Sequence, residues 1–181
     1  DEGAHIGMGA PGREPSPWDH LPQFAGQSVA LAAVAIGIAR AALQATITQA
    51  GSRVSVANGS AWVDYPSVQN SVASAEIAVE SSRTYLFELA DTCWRELAVD
   101  DLQPRTRARL HAIADHALRT GRESVSNLFA AGSVDAVRSG HVLEQCLRDI
   151  HGFSVQWERY RSFHYDAGRV LMGADPNHPL F

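Results

Sequence analysis

The chain has 181 residues, 45% of them hydrophobic, enough to bury one sizeable core without disulfides or metals. Its 15 basic residues are all arginine and stand against 20 acidic ones, a net charge of −5; having no lysine excludes Schiff-base and P-loop chemistry, and the acidic balance argues against nucleic acid as a partner. The only two cysteines, Cys93 and Cys146, lie far apart inside helical patterns, so neither a disulfide framework nor a zinc cluster is expected and a reducing, cytoplasmic setting fits.

Residues 1–20 hold four glycines and three prolines without periodicity and predict a flexible lead-in, with Trp18 docked on the body, before one helical domain over 21–181. A start at Asp1 rather than Met suggests a piece of a longer protein. The longest apolar run, Val29 to Ala39, is 11 residues long and stops at Arg40. A membrane helix needs roughly 20, so a buried helix and no membrane partner are expected. Val29, Ala32, Ile36, Ala39, Leu43, Ile47 and Ala50 step by three or four positions and predict a helix from about Phe24 to Ala50. Small residues flank that stripe, and Gly37 among them suggests close approach of a neighbouring backbone.

Gly51 ends this helix, and the serines with Asn58-Gly59 up to Asp64 read as a loop. Asp64 is a candidate cap for a second helix with Pro66 in its first turn, whose seam runs through Val68, Val72, Ala75, Val79, Leu86, Leu89 and Cys93 to about Leu97. Asp100 or Asp101 followed by Pro104 opens a third helix, lined by Leu110, Ala114, Ala117, Leu118, Val125 and Leu128 and ending near Gly132. Arg105, Arg107, Arg109, Arg119 and Arg122 would form its solvated face. Leu143, Leu147, Ile150 and Ser154 share one face of a fourth helix, and a further amphipathic helix runs from about Trp157 to Met172, stopped by Gly173 and Pro176. The expected fold is therefore all-α, an up-down-up-down four-helix bundle with an additional C-terminal helix. No Glu-x-x-His pair occurs on two helices, so no metal site is expected.

The most specific stretch is Leu143-Glu144-Gln145-Cys146-Leu147-Arg148-Asp149-Ile150-His151, followed by Ala167-Gly168-Arg169-Val170-Leu171-Met172-Gly173-Ala174-Asp175-Pro176. With Ala35-Ile36-Gly37-Ile38-Ala39-Arg40-Ala41-Ala42-Leu43 and Pro66-Ser67-Val68-Gln69 upstream, the chain resembles the C-terminal domain of the acyl-CoA dehydrogenase superfamily over about residues 24–177. The resemblance is closest to the type 2 branch of flavin-dependent hydroxylases and N-oxygenases. It implies a bundle at the core of a homo-oligomer, a tetramer or dimer, that supplies one wall of a site for FAD or FMN and a small-molecule substrate. It also implies an N-terminal helical domain and a β-barrel that these residues do not contain, and an isolated bundle that self-associates through its apolar faces.

The same resemblance places individual residues. Arg53 and Gly132-Ser133 hold positions similar to the family's flavin contacts, where a guanidinium and backbone N–H groups suit a pyrophosphate; a surface arginine and a helix-stop glycine fit those positions equally well. Arg148 and Asp149 are a family hallmark with a structural role, and as chain neighbours on a helix they point about 100° apart, so each needs its own partner. Gln156 stands where the type 2 hydroxylases carry a catalytic histidine, and an amide cannot exchange a proton near neutral pH. Glu158 lies one residue beyond the glutamate base of the dehydrogenase branch and reads otherwise as a solvated helix-start acid. His151 is the remaining catalytic candidate, or a buried structural histidine. The implied function is that of the C-terminal domain of a flavin-dependent oxidoreductase, dehydrogenase or monooxygenase, inactive alone; the alternative is a non-catalytic bundle derived from that family.

Overall fold

The computed structural model describes residues 14, 16–54, 59–132, 134–157 and 161–181. Among them the architecture is all-α, with α1 (Gln23–Ala50), α2 (Pro66–Leu97), α3 (Pro104–Ala131) and α4 (Val142–Trp157) forming the four-helix bundle and α5 (Arg161–Leu171) added to it. Short 3-10 turns at Pro17–His20, Trp62–Asp64 and Val134–Val137 punctuate the connections. The end of the expected lead-in is a built turn: Ser16 and Asp19 form a capping box, and Trp18 lies against Trp94 of α2 with ring centroids 5.9 Å apart.

Helix starts follow proline rather than the aspartates. Pro66 and Pro104 occupy the first turns of α2 and α3, so the caps are the residues just before, Tyr65 and Gln103, and neither supplies a side-chain cap. Asp64 instead closes the Trp62–Asp64 turn. Asp100 and Asp101 lie too early for the α3 cap, and Glu96 of α2 does that work from across the turn, accepting the Gln103 N–H at 3.0 Å and the Thr106 hydroxyl at 2.7 Å. A carboxylate at a helix N-terminus also meets the positive end of the helix dipole.

α3 is the central helix, packed on each of the other four. Its buried residues include Leu110, Ala114, Ala117, Leu118, Val125 and Leu128, as the periodicity requires. The arginine face is less uniform than expected: Arg105, Arg119 and Arg122 are exposed, but Arg107 and Arg109 are half-buried. Arg107 carries its guanidinium over the Phe181 ring at 5.8 Å, and burial lowers its pKa.

Close backbone approach is real, but its glycine is Gly121 and not Gly37. A Cβ on Gly121 would sit 3.2 Å from the Ala35 carbonyl oxygen, whereas one on Gly37 would meet nothing within 4 Å. The Ala-rich stripe of α1 (Ala25, Ala32, Ala35, Ala39, Ala42) is almost wholly buried against α3 and its neighbours. Ile47, expected in that stripe, is 41% exposed, and Thr46 takes the inner position with its hydroxyl donating to the Ala42 carbonyl. By length and composition α1 could cross a membrane, with mean hydropathy 1.7 over its most apolar window. The 11-residue run understated this because the helix continues past Arg40; in this fold α1 is a core element of the bundle.

Trp157 ends α4 instead of opening α5, since its indole is buried at the α3–α4 contact. α5 packs on α3 over a separate small core of Ala108, Phe163, Ala167 and Phe181. After Gly173, whose φ of +86° suits the glycine-favouring left-handed region, the chain folds back. Asp166, 3% exposed, accepts the backbone N–H groups of Asn177 and His178 at 2.8 and 2.9 Å and fixes that return.

Candidate functional site

The structure brings together two of the candidate positions that lie 79 residues apart. Arg53 follows α1 in a loop closed by a bridge between Val54 and Ala61, and its guanidinium reaches Asp135 at 3.1 Å in the turn just after Gly132. The same guanidinium lies 5.7 Å from the Trp62 ring centroid, and Arg138 shares Asp135 at 3.1 Å. Arg53 is thus a half-exposed cation already paired with a carboxylate. Gly132 ends α3, and a Cβ there would fall 2.7 Å from the Phe129 carbonyl oxygen, so glycine is required sterically. Its N–H donates to that same carbonyl at 3.0 Å and is not free for an anion. Ser133 lies outside the described residues.

Beside this corner, His141 caps α4, its Nδ1 accepting the Leu143 N–H at 3.2 Å. Its Nε2 lies 3.2 Å from the Gln49 side-chain nitrogen of α1.

Arg148 and Asp149 are exposed on α4. Arg148 bonds Glu144 one turn earlier at 3.1 Å and comes no closer than 3.9 Å to Asp149. Neither contact ties α4 to another helix, so within this chain the pair presents its charge outward. His151 is exposed rather than buried, with Nε2 3.4 Å from Ser126 Oγ on α3. Ser126 already donates its hydroxyl to the Arg122 carbonyl at 2.7 Å, so His151 must be the donor in that contact. Gln156 sits in the last turn of α4, its side chain outside the described set, and Glu158 lies outside the described residues altogether.

The polar groups that sequence reasoning missed lie around α3. Asp115, 5% exposed, accepts the Trp157 indole N–H at 3.1 Å through Oδ1 and the Arg119 Nε–H at 2.9 Å through Oδ2. His164 of α5 places Nδ1 3.7 Å from the same Oδ2. One turn earlier His111 is fully buried, with Nδ1 2.7 Å from Ser28 Oγ of α1 and its ring stacked on Phe163 at 4.9 Å. Burial, helped by nearby Arg107 and opposed by Asp166, pulls the His111 pKa down to about 4. The available signal was positional: His111 and Asp115 are four apart, on the apolar stripe of Leu110, Ala114 and Leu118.

Both cysteines are free and buried, and burial first, then Glu96, pushes the Cys93 thiol up to about 11. A thiol so disposed is a poor nucleophile.

Two cavities among the described residues bear on the candidates. A groove of about 310 Å³ between α2 and α3, lined by Ser81, Ser82, Tyr85, Ala112, Ile113 and His116, contains none of the candidate residues. The cleft at the end of α4, between Asp115, Arg119, Arg122, Ser154, Trp157 and Arg161, has room for about one water, roughly 20 Å³.

The sequence profile described as Acyl-CoA dehydrogenase, C-terminal domain, matches residues 29–155. An indole-3-acetate monooxygenase of Pseudomonas putida is 26% identical over 161 residues, 88% of this chain and 41% of that protein. The HsaA monooxygenase from M. tuberculosis superposes with a TM-score of 0.77 at 20% identity, covering 91% of this chain and 42% of the other. The 3-HSA hydroxylase from Rhodococcus sp. RHA1 does so with a TM-score of 0.79 at 21% identity, covering 92% and 43%. At those identities the structural likeness establishes the fold alone, and the chain spans less than half the length of each of these relatives.

Proposed function

The chain belongs to the acyl-CoA dehydrogenase C-terminal domain family, and from that premise we propose that it is the C-terminal bundle of a flavin-dependent monooxygenase, forming one wall of the flavin and substrate site. The observation that carries this reading is the match over residues 29–155 together with a relative of 88% chain coverage that is a monooxygenase. The cleft beside the end of α4, with room for about one water, fits a wall better than a whole site.

The flavin, FAD or FMN, would supply the redox chemistry when bound. Arg53 would hold its phosphate end, trading the carboxylate of Asp135 for a phosphate oxygen; a guanidinium fits such an oxygen through paired N–H donors. Gly132 shapes the turn that carries Asp135 and supplies no donor of its own. The last turn of α4, with Gln156, would face the substrate, where an amide orients a polar group without taking its proton. Assembly into a tetramer or dimer belongs to the same reading. It is supported by the outward charges of Arg148 and Asp149 and by exposed Ile77, Phe87 and Trp94 along α2. Two free thiols suit a reducing, cytoplasmic setting.

The test is flavin uptake by the full-length protein, followed by fluorescence quenching with FAD and with FMN. Uptake of either, with oxygen-dependent turnover of indole-3-acetate or phenol as probes, is the expected result. A full-length protein that takes up neither supports instead the second reading, a non-catalytic bundle, which Gln156 in place of a proton-exchanging side chain favours.

A further inference from the structure

Asp115 is a nearly buried carboxylate on the central helix that serves three elements at once. Its Oδ1 anchors the Trp157 indole at the end of α4 at 3.1 Å, and its Oδ2 takes the Arg119 Nε–H of its own helix at 2.9 Å. The third group is His164 of α5, whose Nδ1 is buried, lacks a hydrogen-bond partner and points at Oδ2 from 3.7 Å. A closure of about 0.8–1 Å from the observed 3.7 Å would convert that approach into a charge-assisted hydrogen bond, since such bonds run at roughly 2.7–2.9 Å. The imidazole side chain is 39% exposed while its Nδ1 is sealed, so the outer edge of the ring, with Nε2, faces solvent.

An imidazole whose inner nitrogen faces a fixed carboxylate and whose outer nitrogen is open is arranged for proton exchange. Once closed to hydrogen-bond distance, the carboxylate would select the tautomer with the proton on Nδ1 and leave Nε2 as the acceptor. The other described histidines are disposed differently. His111 is sealed, His141 and His178 use Nδ1 to accept backbone N–H groups, His116 and His151 lean on hydroxyls, and His20 ends the Pro17–His20 turn. Among the described residues, His164 is the histidine with a ring nitrogen within 4 Å of a carboxylate.

We propose that His164, oriented by Asp115, is the proton-exchanging catalytic residue of this wall, receiving a proton from an O–H or N–H of the bound aromatic substrate onto Nε2 and releasing it to solvent. The assignment rests on the monooxygenase reading above. Gln156 is next in chain to Trp157, which hangs from the same carboxylate, so the pair lies beside the turn of α4 that would face the substrate. The charged and titratable groups around it are Asp115 and Arg119 of α3, Arg122 and Arg161 at the adjoining cleft, and Tyr165, whose ring centroid is 6.2 Å from that of His164. No redox change occurs at His164; one proton moves from substrate to ring to water.

The experiment compares full-length flavin-loaded wild type with His164→Gln, His164→Gly and Asp115→Asn, using phenol and indole-3-acetate as probe substrates. The expected result is unchanged flavin content with a fall in kcat of about 10²-fold or more for His164→Gln. One ionisation should also disappear from its pH–rate profile, and added imidazole should partly restore the His164→Gly variant. Asp115→Asn should retain the ionisation and lose part of kcat. A His164→Gln enzyme that turns over with the wild-type pH profile overturns the assignment alone. So does a His164→Gly enzyme indifferent to imidazole. A wild-type protein that binds no flavin overturns the functional reading and this assignment with it.

Discussion

The molecule has two cores built on opposite principles. The main core, shared by α1 to α4, is apolar and tight, with small residues of α1 meeting Gly121 of α3 across a near-contact of backbones. The small core beneath α5 is held as much by polar anchors as by packing: Ser28 to His111 and Asp166 to the returning chain. Ionisable groups buried with partners tolerate burial only while those partners remain. The first core fixes the fold, and the second carries the groups whose chemistry depends on geometry.

The largest expected effect comes from breaking the main core. Leu110→Ala or Ile150→Ala, at fully buried positions, should cost about 2–5 kcal/mol and lower the midpoint of chemical denaturation of the whole molecule. Gly121→Val, forced against the Ala35 backbone, should cost about 1–3 kcal/mol in the same assay.

The small core should respond to pH where the main core does not. Because the folded pKa of His111 is lowered from 6.5 to about 4, the unfolded chain takes up its proton first as pH falls. The contribution is fully present above about pH 6.5 and declines as pH drops toward 4, by an amount on the order of 3 kcal/mol. Stability measured against pH for His111→Gln should lack that decline. A wild-type slope of the opposite sign would show that the histidine is not buried in its neutral form.

Removing the Asp166 carboxylate should act more locally. Asp166→Ala leaves two backbone N–H groups without acceptors and should cost about 1–3 kcal/mol. Hydrogen exchange should rise at Asn177 and His178 before it rises in α1 or α2. Arg148→Ala should give the smallest change, within about 0.5 kcal/mol for the folded chain, because its partner is an exposed one-turn pair. A larger effect on assembly, measured by light scattering, would show that its structural role lies between subunits.

How much of this was legible in the sequence follows the same division. Spacing alone defines α1, α2 and α3 because their buried faces are apolar and regular, and the two prolines mark where α2 and α3 begin. Capping failed at Asp64 and Asp101 because a first-turn proline leaves the cap to the residue before it, and Glu96 reaches α3 from another helix, which no local pattern encodes. The family stretch was legible, but its chemistry was not. Arg148, Asp149 and His151 turned outward, while Asp115 and His164 met across helices 49 residues apart. Arg53 and Asp135 likewise needed the fold to become neighbours.

A bundle that completes a flavin site should set the affinity for the flavin. The most direct measurement is the dissociation constant of FAD and FMN for full-length wild type and for Arg53→Ala. Wild type should bind one of them, and Arg53→Ala should weaken that binding by about tenfold or more, the loss of one charge-assisted contact. Wild-type protein that binds neither flavin, or Arg53→Ala that binds as tightly as wild type, would contradict that role.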